Sequence, residues 1–256
     1  MLAGVVAALA RRAGSLSASG QWAAFGTGTI AAAAGWRWAG LLIGYFVLAS
    51  ALTRWGAGRK AARTADVLPD ASARGALQVL ANGGLFAALV LAGTLLRAPP
   101  LLVAANGALA AAAADTWATE IGTLWGGTPR SLLSGRALGA GESGGVTLVG
   151  TAASAVAAAL MGGAAGLLLA APGGVAADAA FAVGLAGLVG SAADSLLGAT
   201  LQSKRWCEQC KRWTERRVHT CQYRTRHARG VRWMTNDTVN LLATACGALA
   251  AVLAAA

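Results

Sequence analysis

Charge is what this chain has least of. Only 12% of its 256 residues are Asp, Glu, Lys or Arg, against about 25% in soluble domains. Ten residues are acidic and two are histidine. With 56% hydrophobic residues and a mean hydropathy of +0.57, that shortage excludes a soluble globular domain and places the chain in a bilayer. No cleavable secretory signal is expected, because the apolar start MLAGVVAALA precedes Arg11 and Arg12, the reverse of a signal peptide's charge order. No Gly-Lys-Ser/Thr follows any glycine-rich stretch, so there is no Walker A loop. No clear internal repeat is found, which counts against a transporter built from inverted repeats. Small residues are abundant instead, with 35 glycines and long alanine runs, and small residues let membrane helices approach closely.

A membrane span takes about 20 mostly apolar residues, or about 17 at the short end. That criterion predicts spans near Gln21–Gly35, Trp38–Thr53, Gly75–Leu96, Pro100–Trp125, Val146–Ala171, Val175–Gln202 and Asn236–Ala256. Met1–Ala10 is too short to cross alone, and Trp36-Arg37-Trp38 makes a tight link between two spans. The expected fold is all-α: a polytopic transmembrane helical bundle of about seven or eight spans. Residues 1–256 form a single integral membrane domain, with a Cys/His loop at 203–235 inserted between the last two spans.

The basic residues fix an orientation. With the Met1–Ala10 stub counted as the first span, nineteen of the 21 fall in loops that follow odd-numbered spans, and only Arg37 and Arg97 fall on the other side. Positive residues collect on the cytoplasmic face, so these loops are expected to be cytoplasmic, in a plasma or inner membrane. The formal net charge of +11 is then a topology signal, and no nucleic-acid partner is expected. Trp36, Trp38, Trp55, Trp125, Trp206 and Trp233 lie near span ends, as an aromatic belt requires.

Against this background the acids inside the spans stand out. Asp115 ends an alanine run about 15 Å of helix before Trp125. Asp194 lies about two turns from the same end of its span. Asn236, Asp237 and Asn240 begin the last span, and Asn82 lies inside an earlier one. An acid at mid-membrane costs about 2.5–3.5 kcal/mol on insertion scales, so it persists where it faces a wet cavity, an ion or a partner charge. Asp115 and Glu120 are about 140° apart on a regular helix. Either the helix breaks between them, or Glu120 has a separate task such as gripping a basic loop. The bland alternative for all these acids is pairing with Arg or hydrogen bonding between helices.

The stretch GAGESGG, with Gly141, Glu142, Ser143, Gly144 and Gly145, precedes a long apolar span. Backbone N–H groups of a glycine-rich turn ahead of a helix make an anion site. Acids on one side and cations on the other suit a phosphate substrate with Mg²⁺, which takes a few carboxylates plus substrate oxygens. Arg54, Arg59, Lys60, Arg63, Arg130 and Arg136 are the candidate cations, although each serves equally well as a plain positive-inside anchor.

Cys207 and Cys210 form a C-x₂-C, and His219 and Cys221 an H-x-C. Three thiolates and an imidazole complete a tetrahedral Zn²⁺ set; the alternative is four free side chains in a reducing compartment. A filled set would organise the loop without catalysing. Cys246 reads as a packing residue and His227 as a solvated one.

Taken in order, QVLANGG, ADTWATEIG, GESGGVTLVGT, DSLLGATLQ, the C-x₂-C…H-x-C loop and NDTVN resemble the domain-of-unknown-function 92 family of integral membrane proteins. The resemblance runs from about Gly14 to the end, and the family includes the plant phytyl phosphate kinase. It implies transfer of a phosphoryl group from a nucleoside triphosphate (CTP or ATP) to a prenyl monophosphate. By position the motif residues are Asn82, Asp115, Glu120, Gly141–Gly145, Asp194, Asn236, Asp237 and Asn240. The family turn usually carries Thr or a similar small residue where Glu142 stands, so this chain departs from the pattern by one extra negative charge that needs a metal or a basic neighbour beside phosphates. The resulting expectation is a prenyl phosphate kinase. Asp115, Asp194 and Asp237 would hold Mg²⁺, with Glu120 in the same site, and Asn82, Arg54, Arg59, Lys60, Arg136, Asn236, Asn240 and the glycine turn would bind substrate phosphates. The competing readings are an ion-coupled transporter or flippase of a lipid phosphate, and a CTP-dependent cytidylyltransferase.

Overall fold

The computed structural model describes residues 2–69, 73–170 and 176–256. Met1 and the expected span ends at Ala171 and Val175 lie outside the described residues. Nine helices run through the described chain: α1 (Leu2–Arg12), α2 (Ala18–Ala34), α3 (Trp36–Arg54), α4 (Ala57–Thr64), α5 (Ala76–Leu95), α6 (Pro99–Trp125), α7 (Leu148–Leu169), α8 (Ala177–Thr200) and α9 (Asn236–Ala255). Of these, α3, α5, α6, α7, α8 and α9 are long and apolar enough to cross a membrane. These six belong to the bundle of about seven or eight spans that was expected. Helix α2, with 17 residues, lies at the short end of the range for a span, and α1 has only 11. The tight link expected at Trp36–Trp38 is the single residue Gly35, and both tryptophans belong to α3.

Local chemistry sets the helix starts. Pro99 and Pro100 occupy the first turn of α6, where the missing N–H costs nothing. Thr147 caps α7 by accepting the N–H of Gly150 at 3.0 Å, and Thr235 caps α9 by accepting that of Thr238 at 3.4 Å. Helix α5 carries a π-turn at Leu80–Gly84, which includes Asn82.

Helix α6 is the centre of the bundle. It packs against α5, α7, α8 and α9, and every residue from Ala104 to Ala114 is buried. Association in lipid relies on close van der Waals approach, and the alanine run supplies it. At Gly107 an added Cβ would lie 2.5 Å from both the Gly247 carbonyl and the Ala251 methyl of α9. Phe86, Val90, Leu109 and Val183 fill the space around this axis.

The basic loops meet at one end of the bundle. Arg54 at the end of α3 reaches the Ala13 carbonyl and Ser15 Oγ, each at 2.5 Å, and the Ser15 carbonyl accepts the N–H of Arg74 at 3.0 Å. In the loop after α6, β1 (Arg130–Ser131) pairs with β2 (Gly145–Val146). Between α8 and α9, β3 (Lys204–Cys207), β4 (Arg212–Thr214) and β5 (Arg226–Arg229) form a sheet in the order β4-β3-β5. That sheet docks on the chain after α4. Thr214 Oγ1 and the Glu215 N–H donate to the Val67 carbonyl at 3.0 and 2.8 Å, Arg216 donates to the Ala65 carbonyl at 2.8 Å, and Arg212 pairs with Asp66 at 2.6 Å.

Candidate active site

Where these loops converge, a cavity of about 490 Å³ opens into the bundle. Asp115 of α6 and Asp194 of α8 line it, as do Glu142–Val146, Arg63, Asn236 and Glu215. Each acid is delivered by a different element. The buried alanine run carries Asp115 to the cavity. Asp194 follows the buried small residues Gly190 and Ser191 of α8. Glu215 arrives on the chain leaving β4. Asp115 and Glu215 are the charged neighbours of Asp194, whose Oδ2 is buried without a hydrogen-bond partner among the described residues.

The glycine turn lines the same cavity. Gly144 has φ +82, and a Cβ there would meet Ala199 Cα and Cβ of α8 at 2.5 Å, so the turn lies directly on α8. Ser143 Oγ and Gln202 Nε2 donate to Glu215 Oε1 at 2.6 and 2.8 Å, and Lys204 Nζ donates to the Ser143 carbonyl at 2.7 Å. Burial pushes the Glu215 carboxyl above the ordinary glutamate range, against the hydrogen bonds and the Lys204 charge that favour ionisation. Burial likewise lowers the Lys204 ammonium, with Glu142 and Glu215 opposing. Glu142 turns its carboxylate back onto the Gly139 N–H at 2.7 Å, so its negative charge is partly engaged in shaping its own loop. The first turn of α7 adds Thr147, Gly150 and Thr151 to the wall, which aims a helix N-terminus at the same space.

Other expected site residues fall elsewhere. Helix α6 does not break after Asp115, so Glu120 points away from it. Glu120 pairs with the buried Lys60 and accepts from Thr53 Oγ1 at 2.6 Å. Lys60 also donates to the Leu52 and Thr53 carbonyls at 2.7 and 2.9 Å, tying α4 to the end of α3. Arg54 is occupied by the α1–α2 turn, and Arg59 and Arg136 are exposed and outside the cavity lining. Asn82 lines a smaller, mostly apolar cavity of about 70 Å³ among α1, α2, α3 and α5, beside Arg74 and Tyr45. Asp237 and the buried Asn240 are not in the lining, although their neighbour Asn236 is.

Sequence reasoning missed Glu215 and Gln202. The available signal for Glu215 was its sign, since it is one of two acids among the ten basic residues of its loop. Arg63 proves the cation of the lining; it donates to the Gly127 carbonyl at 2.5 Å and to that of Leu124 at 3.2 Å.

The Cys/His loop forms a second cluster. The ligand atoms of Cys207, Cys210, His219 and Cys221 all lie within 4.8 Å of one another, the only such group of three or more among the described residues. The carboxylates around the cavity are more widely spaced.

The model of a family described as integral membrane protein DUF92 matches residues 1–248. Protein PGR of Arabidopsis thaliana is 32% identical over 215 residues, covering 75% of this chain and 74% of its own. An uncharacterized membrane protein of Methanocaldococcus jannaschii is 29% identical over 222 residues, covering 86% of this chain and 76% of its own. No solved structure matches.

Proposed function

Because the chain belongs to the integral membrane protein family DUF92, we propose that it is a membrane-embedded kinase acting on prenyl monophosphates of the phytyl or geranylgeranyl type. Its cavity and basic loops face the cytoplasm of a plasma or inner membrane. The observation that carries this reading is one cavity whose lining brings together Asp115, Asp194 and Glu215 with the Gly141–Gly145 turn, Arg63 and the start of α7.

The donor set suits Mg²⁺, a hard cation that binds through one or two carboxylates, water and substrate phosphate oxygens. Carboxylates spaced around a wet cavity, with Asp194 Oδ2 unpartnered, leave room for those oxygens. Asp115, Asp194 and Glu215 would hold the ion; Asp237, one residue beyond the lining, is not needed in the set. When bound, Mg²⁺ would neutralise charge on the transferring phosphoryl group and its leaving group.

The chain's own residues then position two anions. The glycine turn and the N-terminus of α7 receive phosphate oxygens, and Arg63 offsets their charge from the rim. An oxygen of the lipid monophosphate attacks the γ-phosphorus of a nucleoside triphosphate. The new P–O bond forms as the bond to the nucleoside diphosphate breaks, and the electron pair leaves with that diphosphate. Such transfers depend on positioning and charge stabilisation. The acceptor is already anionic, so no general base is required, which fits a cavity lining without histidine.

The test is a product assay on protein reconstituted in liposomes with Mg²⁺, γ-labelled CTP or ATP, and geranylgeranyl or phytyl monophosphate. Label in a lipid diphosphate, lost in Asp194→Asn, supports the kinase. Release of pyrophosphate with the nucleotide joined to the lipid would show a cytidylyltransferase. Neither labelled lipid nor labelled pyrophosphate from folded protein would refute both and favour transport of a lipid phosphate.

A further inference from the structure

We infer that Cys207, Cys210, His219 and Cys221 hold a structural zinc ion, and that this ion fixes the segment that brings Glu215 to the cavity. The zinc site stands on its own geometry; only its bearing on catalysis rests on the proposed kinase reading.

All four cysteines of the chain are unpaired, and Cys207 Sγ lies 3.6 Å from Cys221 Sγ. That is far beyond a disulfide length of about 2.0 Å and close to the edge of a tetrahedron, about 3.8 Å for Zn–S bonds of about 2.3 Å. The N–H of Cys210 points at Cys207 Sγ at 3.5 Å, the arrangement of a C-x₂-C knuckle gripping a cation. His219 closes the set, with Nδ1 3.3 Å from Cys221 Sγ. The ring is buried, and Nε2 has no hydrogen-bond partner among the described residues. A metal on one ring nitrogen removes one of the two demands that a buried imidazole makes. Three thiolates on Zn²⁺ leave one net negative charge, and the loop around it carries Lys211, Arg212, Arg224 and Arg226.

The loop has little else to fold around. Its strands are three or four residues long, and its buried side chains are mostly Cys, His and Thr. Modules this small commonly draw their folding energy from a metal. Glu215 lies between the ligands Cys210 and His219, and the same stretch sends Thr214 and Glu215 to the Val67 carbonyl. An ion held at both ends of residues 210–219 therefore sets where the Glu215 carboxylate stands. With four protein ligands it has no open position for substrate.

The experiment measures metal in the purified full-length protein by plasma mass spectrometry, alongside trypsin digestion. The expected result is about one zinc per chain, retained in Cys246→Ser and lost in Cys210→Ser and Cys221→Ser. Trypsin should cut within residues 203–235 at least about tenfold faster after zinc loss while the helical bundle survives. Wild-type protein that is monodisperse yet holds no zinc, or holds iron instead, overturns the site; zinc retained in both Cys210→Ser and Cys221→Ser does the same. Unchanged trypsin resistance after zinc loss overturns the link to Glu215. Zinc-loaded, trypsin-resistant protein that phosphorylates no lipid refutes the kinase reading alone.

Discussion

Replacing Glu120 with Gln should damage the fold more than the chemistry. The Glu120–Lys60 pair is largely enclosed, with side-chain exposures of 19% and 10%. Removing one member of a buried pair costs about 3–5 kcal/mol, because the other is left uncompensated. Here Lys60 keeps two carbonyl acceptors, at Leu52 and Thr53, so the loss should fall at the low end, about 3 kcal/mol. Lys60→Met should cost about 2 kcal/mol, since Glu120 is the more exposed partner and keeps the Thr53 hydroxyl. The double variant should be less harmful than the two single losses added together, with a coupling of about 1–2 kcal/mol. Thermal unfolding of the four proteins in one detergent gives the cycle. Turnover measured well below the unfolding midpoint should stay within about threefold of wild type if the pair only anchors α4. If Glu120→Gln unfolds like wild type but loses turnover, Glu120 belongs to the chemistry and the anchoring argument is wrong.

Three further outcomes are expected from the same geometry. Gly144→Ala adds a Cβ at φ +82 against Ala199; strain and overpacking together should cost about 2–4 kcal/mol, read as a lower unfolding midpoint and weaker nucleotide binding. Asp194→Asn should abolish Mg²⁺-dependent turnover, whereas Asp237→Asn should retain it at a somewhat lower midpoint, since an acid in a first helical turn contributes about 0.3–1 kcal/mol; equal losses in the two variants would contradict the lining. Burial holds the proton on Glu215 to higher pH than on a free glutamate. Ion uptake must displace that proton, so Mg²⁺ affinity, measured by calorimetry, should rise with pH and the rise should flatten in Glu215→Gln.

The bundle was legible because a run of about 20 apolar residues has few other uses. The convergence of the basic loops was legible from charge sign alone. Asp115 and Asp194 stood out because acids are rare at that depth, and the cavity joins them. Angular placement was harder to read. The 140° offset of Glu120 allowed two outcomes, and an unbroken α6 chose the one facing Lys60. At Asn82 the π-turn inserts an extra residue, which rotates the remainder of α5 by about 100°, and no composition signal marks such a turn. Glu215 was hidden because its partners Ser143 and Val67 come from distant parts of the chain, and tertiary contacts of that range leave no local pattern.

The docking of Thr214 and Glu215 onto Val67 also orders the protein's manufacture. Val67 is made early, and Thr214 is made 147 residues later. Helices α3 to α8 can thus enter the membrane while the cavity still lacks one wall, and that wall closes only as the segment ahead of α9 leaves the ribosome. A chain stalled before that point would hold Asp115 and Asp194 beside the glycine turn but without Glu215 and the sheet that carries it.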